Sequence, residues 1–215
     1  FMLVSMAVAL LFLLSLSCSN ETSVQSSRSE PDLGKQSSVA GAAKSSLRIL
    51  MVIASRDFRD EEYREPRDAL ESIGAVITVA STTTGECVGM LGMKMKPDKL
   101  LKDVDASEYE CIIFVGGSGS KEYFDNPDAH RIVREAISHK RLLAAICLAP
   151  VILARAGVLK GKKATVWGGA SDELIKAGAV YVKSPVVQDG NIITANGPKA
   201  AKDFARKIVE ALGKR

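Results

Sequence analysis

The chain has 215 residues, of which 29 are Lys or Arg and 25 are Asp or Glu, giving a net charge of +4, and 47% are hydrophobic. Charges of both signs are interspersed, with no long basic run and no aromatic–basic alternation, which argues against nucleic-acid binding. The first 45 residues carry three basic and three acidic side chains, so the net charge belongs to the remaining 170, enough for one ordinary domain with a full core.

Residues Phe1 to Ser17 carry no charge and end at Cys18. The run is shorter than a spanning helix needs but has the apolar core of a secretory signal. Leu14-Ser15-Leu16-Ser17-Cys18 resembles a bacterial lipoprotein signal, in which a small residue precedes a cysteine that is lipidated after cleavage. The expectation is an exported protein of a prokaryotic cell envelope, held to the membrane only through this leader, with Cys18 as the lipidation candidate. Simple secretion and an uncleaved anchor are the alternatives. Residues 19–46 are rich in Ser and lack apolar periodicity, so they read as a disordered tether that cannot bury enough surface to offset the entropy of ordering. The domain proper starts at residue 47.

Leu47 to Ala54 is a continuous apolar run of strand length, as are Ala75 to Ser81 and Ile112 to Val115; strands buried on both faces read this way. Between the first two, Glu61 to Gly74 is helix-like and closed by a glycine, with Pro66 as an expected interruption. Asp125-Asn126-Pro127 opens a helix that runs to about His139. Leu142 to Ile146 is again an apolar strand and ends at Cys147, after which Pro150 and Val151 to Ala156 begin a helix. Ala164 to Trp167 looks like a strand and Ser171 to Ala177 a helix capped by Ser171. Val180-Tyr181-Val182 leads on to Val186. Asp189-Gly190 between two β-branched runs signals a hairpin, and a last amphipathic helix covers Lys199 to Leu212. Alternating strands and helices predict an α/β fold: a three-layer, doubly wound, mostly parallel sheet with helices on both faces.

In such sheets ligands bind at the carboxyl ends of the strands, where Cys147 sits on a strand-to-helix turn. The small residues Ala145 and Ala149 suit a tight nucleophile elbow, and the first amides of the following helix are expected to favour the thiolate. The bland alternative is a buried cysteine acting as a small hydrophobe, which is the expectation for Cys111. Cys87, Cys111 and Cys147 make an odd number, so at least one thiol of the domain lacks a partner within it. Gly116-Gly117-Ser118-Gly119 follows another strand and offers bare amides to an anion. Ser55 to Glu62 follows a third; it either brings an acid to the sulfur or is a solvated charge run.

The stretch from Leu47 to Gly213 resembles the ThiJ/PfpI family, whose fold is similar to class I glutamine amidotransferases. The resemblance rests on Glu62-x-x-x-Pro66, Gly116-Gly117, Ala145-Ile146-Cys147-Leu148-Ala149-Pro150, Ala156-Gly157-Val158-Leu159-Lys160-Gly161 and Gly197-Pro198. It implies that Cys147 is the elbow nucleophile, that Glu62 is its carboxylate partner, and that the Gly116-Gly117 turn and Leu148 supply amides to an oxyanion or an oxidised sulfur. It also implies a homodimer, with neither metal nor cofactor. The chain departs from the pattern where protease-like members follow the nucleophile with histidine, because Leu148 stands there. It departs again at Val166-Trp167-Gly168-Gly169, where deglycase-like members carry histidine. Only His130 and His139 remain; His130 has a position from which it could face the crevice, and His139 reads as structural. A Cys-Glu pair without histidine turns the expected chemistry from peptide hydrolysis to small reactive carbonyls, in the manner of a glyoxalase or deglycase. A sensor or protective protein that works by oxidation of Cys147, a cysteine peptidase and a silent binding module are the alternatives.

Overall fold

The computed structural model describes residues 46–214. The leader with Cys18, and the tether as far as residue 45, lie outside the described residues. The first half contains β1 (Arg48–Val52), β2 (Arg56–Phe58), α1 (Asp60–Ser72), β3 (Val76–Ser81), β4 (Cys87–Gly89), β5 (Lys94–Met95), β6 (Lys99–Leu100) and β7 (Cys111–Phe114). The second contains α2 (Pro127–Ser138), β8 (Leu142–Ile146), α3 (Pro150–Arg155), β9 (Lys163–Ala164), α4 (Ser171–Lys176), β10 (Val180–Tyr181), β11 (Val186–Asp189), β12 (Ile192–Ala195) and α5 (Ala201–Leu212).

Seven strands form one sheet in the order β11-β12-β8-β7-β1-β3-β6. All neighbours are parallel except the β11–β12 hairpin. Every residue of β7, β8 and β12 is buried, because layers cover both faces: α1 packs with α5, and α2 with α3. That is why these strands, Thr194 of β12 apart, are apolar rather than alternating. The chain leaves β1 for β3 on one side and leaves β7 for β8 on the other, so the winding reverses between β1 and β7. Such a reversal opens a crevice at the carboxyl ends of the strands.

Several details differ from the sequence expectation. Pro66 does not interrupt α1: it lies inside the helix and is buried, so the helix forgoes only the hydrogen bond that its missing N–H would have given to the Glu62 carbonyl. Packing of the buried face against α5 compensates. The strand expected to run to Trp167 stops at Ala164; beyond it Trp167 leaves the sheet and donates its amide to the Cys147 carbonyl at 2.8 Å. Ser171 is the first residue of α4 rather than its cap, and its hydroxyl donates back to the Gly168 carbonyl at 3.2 Å. β2, β4 and β5 form a separate small sheet, and β6 closes the main sheet edge with two residues. These pieces are too short to carry a periodic signal.

Candidate active site

The nucleophile elbow follows from local geometry. Cys147 has φ +63°, a left-handed conformation that costs a non-glycine residue about 1–3 kcal/mol. Its backbone is pinned from both sides, the amide donating to the Ala195 carbonyl at 2.9 Å and the carbonyl accepting from Trp167. Ala145 and Ala149 on either side are fully buried, so larger side chains would find no room. The turn aims a half-buried thiol out of β8 into the crevice.

Glu62 reaches the same point from the first turn of α1. Gly116, just after β7, is where the two meet: a Cβ there would lie 2.5 Å from Cys147 Cβ, from Glu62 Oε2 and from the Ile146 carbonyl oxygen. Only glycine leaves this space empty. Gly117, at φ +102°, uses its conformational freedom to turn beneath the backbone of Asp57 to Arg59, and the Gly116 carbonyl accepts from the Arg59 amide at 3.0 Å.

Electrostatics then sets the protonation of the pair. Glu62 is fully buried, and neither carboxyl oxygen has a completed hydrogen bond. Burial above all pushes its pKa up to about 8, opposed by the nearby Cys147 thiol, Arg59 and the Gly116 amide. Cys147 is pushed up to about 12, first by burial and then by the Glu62 charge, while the Gly117 and Leu148 amides pull the other way. The helix amides expected to yield a thiolate are therefore outweighed, and α3 is only six residues long. The two groups titrate as one unit that is neutral near pH 7 and singly charged above about 8. The Gly117 and Leu148 amides face the sulfur, and the Gly116 amide faces Glu62.

The sign of the stability effect follows. Glu62 holds its proton in the folded state up to about pH 8 but in the unfolded state only to about 4.5, so its contribution is fully present below 4.5 and is lost as pH rises to 8. The raised thiol continues the decline from 9 to about 12. Glu62→Gln removes the lower part of this slope, so between pH 5 and 8.5 the variant is expected to lose less stability than the parent, by on the order of a few kcal/mol. Denaturant melts at pH 5, 7 and 8.5 check it; parallel curves for both proteins would exclude a neutral buried carboxyl.

Around the thiol lies a cavity of about 550 Å³ whose walls include Arg59, Met90, Phe124, Leu148, Trp167 and Glu173. Trp167 and Met90 stand at the rim, about half exposed. None of these wall residues except Leu148 was expected from sequence; they come from separate loops and, for Glu173, from α4. Arg59 is chelated by Glu61 at 2.8 Å, and Arg155 of α3 ties Glu173 to Asp125 at 3.0 and 2.8 Å. The charge run from Asp57 to Glu62 is not a solvated face, because Asp60 and Glu62 are both buried. Neither histidine lines the cavity: His130 is bonded through Nε2 to the Phe124 carbonyl at 2.8 Å, and exposed His139 follows the end of α2. Cys87 and Cys111 are both fully buried. Among the described residues there is no group of three or more His, Cys, Asp or Glu side chains that could hold a metal ion, and no helix long and apolar enough to cross a membrane.

A protein of Methanocaldococcus jannaschii without an assigned function is 50% identical over 170 residues, covering 78% of this chain and 83% of that protein. A deglycase of Pyrococcus horikoshii is 31% identical over 166 residues, 77% of this chain and 99% of its own. The crystal structure of a ThiJ/PfpI domain protein from Brachyspira murdochii superposes with a TM-score of 0.77 at 33% identity, covering 79% of this chain and 98% of the other. Residues 47–211 match the DJ-1/PfpI family, and with the parallel sheet, the strained cysteine turn and the buried glutamate already in place, the chain belongs to that family.

Proposed function

We propose that the protein converts small α-oxoaldehydes to hydroxy acids without a cofactor, with Cys147 as nucleophile and Glu62 as proton carrier. The observation that carries this reading is the convergence of a buried carboxyl and a thiol on Gly116, with amides directed at the sulfur. The existence of deglycases among the relatives supports it. So does the engagement of His130 elsewhere, which leaves a peptidase without its usual base.

In the singly charged pair the remaining proton can sit on either partner, and the thiolate form has Glu62 protonated. The thiolate adds to the aldehyde carbon of methylglyoxal, and Glu62 gives its proton to the resulting alkoxide, forming a hemithioacetal. The carboxylate so produced removes the C1 hydrogen as a proton and returns it at C2, while the C1 hydroxyl proton passes to the C2 oxygen, which leaves a thioester of lactate. Water hydrolyses the thioester and restores the thiol. The net change is methylglyoxal plus water to lactate, with no oxidant or metal. The amides of Gly117 and Leu148 stabilise the oxyanion at addition and at hydrolysis.

Proton NMR of fresh, reduced protein with methylglyoxal tests this directly. Lactate is expected to accumulate at a rate that climbs between pH 6.5 and 9 with a midpoint near 8, as the pair loses its first proton. No lactate at any of these values would refute it.

A further inference from the structure

Asp60 is the other buried carboxylate of the α1 N-terminus, two residues before Glu62, and the chemistry above does not use it. Its two oxygens accept from the amides of Leu91 at 2.9 Å and Met93 at 2.8 Å. Between them the chain makes a tight turn: the Gly89 amide donates to the Met93 carbonyl at 2.7 Å, the Gly92 amide to the Gly89 carbonyl at 3.0 Å, and Gly92 has φ +91°. The Met90 amide donates to the Phe58 carbonyl at 2.9 Å. The space is closed from the other side, since a Cβ on Gly89 would sit 2.5 Å from Asp60 Oδ2. The turn is thus fastened to the start of the helix that bears Glu62, and its tip, Met90, forms part of the wall facing Cys147.

We propose that Asp60 is a positioning residue that holds Met90 in the crevice wall and thereby limits the size of the carbonyl compound that reaches Cys147. A charged acceptor bonded to two amides fixes the turn far better than water would. Met90 itself has a half-exposed, flexible side chain, and its backbone is held besides only by the bonds of the turn and by the Phe58 carbonyl. The inference rests on the aldehyde reading for its substrate class, but the wall acts on any reagent that attacks the sulfur.

The test therefore uses thiol alkylation, which needs no turnover. Rates of modification at Cys147 are measured by peptide mapping for iodoacetamide and for the bulky N-(1-pyrenyl)maleimide. Asp60→Asn and Met90→Ala are each expected to raise the bulky-to-small rate ratio about fivefold, and the double variant no further than either single one, because one residue acts through the other. With phenylglyoxal and methylglyoxal as substrates the same variants shift KM for the larger aldehyde selectively. An Asp60→Asn effect equal for both reagents, or one fully additive with Met90→Ala, overturns the proposal. If Asp60→Asn does not fold, Gly89→Ala crowds the same carboxylate and reads the same ratio. Met90→Ala, at a half-exposed position, decides alone if neither folds, and an unchanged ratio refutes the wall. Selectivity that changes in alkylation without any aldehyde turnover would uphold the wall and refute the aldehyde reading.

Discussion

Glu62→Gln is expected to lower the rate of lactate formation from methylglyoxal by about 10²–10⁴-fold, the range for removing a positioned general acid–base group. The amide cannot accept the C1 proton, nor hand one on to C2, while its shape fits the same buried space. The loss should fall on kcat, because the carboxyl acts on a substrate already bound to sulfur. Alkylation of Cys147 should at the same time persist, and the pH profile of alkylation should lose its step near 8, since that step belongs to the pair. Stopped-flow kinetics and the alkylation profile together separate loss of chemistry from loss of the site. A variant retaining more than a tenth of parental kcat would show that Glu62 carries no proton in the reaction.

Gly116→Ala is the second large effect. Its Cβ would occupy the point where Cys147, Glu62 and the Ile146 carbonyl come within 2.5 Å. The carbonyl is backbone of β8 and cannot step aside, so the sheet, the elbow or the carboxyl must move. Overpacking of this kind costs about 1–3 kcal/mol of stability. The catalytic cost is larger, since displacing a reacting group by about 1 Å lowers rates on the order of 10²-fold. A folded Gly116→Ala protein with slightly reduced melting temperature and nearly abolished turnover is the expected result. Parental turnover in that protein would mean that the thiol and the carboxyl need not meet there.

What the sequence disclosed and what it withheld divide along the range of the interactions. The buried strands β7 and β8 are unbroken apolar runs, and a run of that kind has one stable place in a sheet covered on both faces. The hairpin at residues 189–192 announced itself through a glycine, here at φ +61°. Cys147 and the glycine turn were legible because an elbow and a close backbone approach demand particular small residues in sequence. Glu62 was ambiguous. Within Arg59-Asp60-Glu61-Glu62 nothing local separates the chelated carboxylate from the two buried ones; which of them goes inward depends on how α1 packs against α5 and β3. Asp60's role lies in amides thirty residues away, and no pattern in either segment encodes the other. The crevice walls come from single residues of separate loops and, for Glu173, of the short helix α4, which share no periodicity. Even the pKa of the thiol was misjudged from sequence, because the helix amides could be inferred from spacing while the burial and the facing carboxyl that outweigh them could not.

The central claim is that Cys147 is the reactive centre, and stoichiometric inactivation tests it most directly. The reduced protein is treated at pH 8.5 with increasing iodoacetamide, and at each step lactate formation is measured alongside the occupancy of every thiol by peptide mass spectrometry. Cys87 and Cys111 are fully buried and should stay unmodified. Turnover is predicted to fall in strict proportion to modification of Cys147, reaching zero at one label on that residue. Undiminished lactate formation from protein fully alkylated at Cys147 would contradict the account.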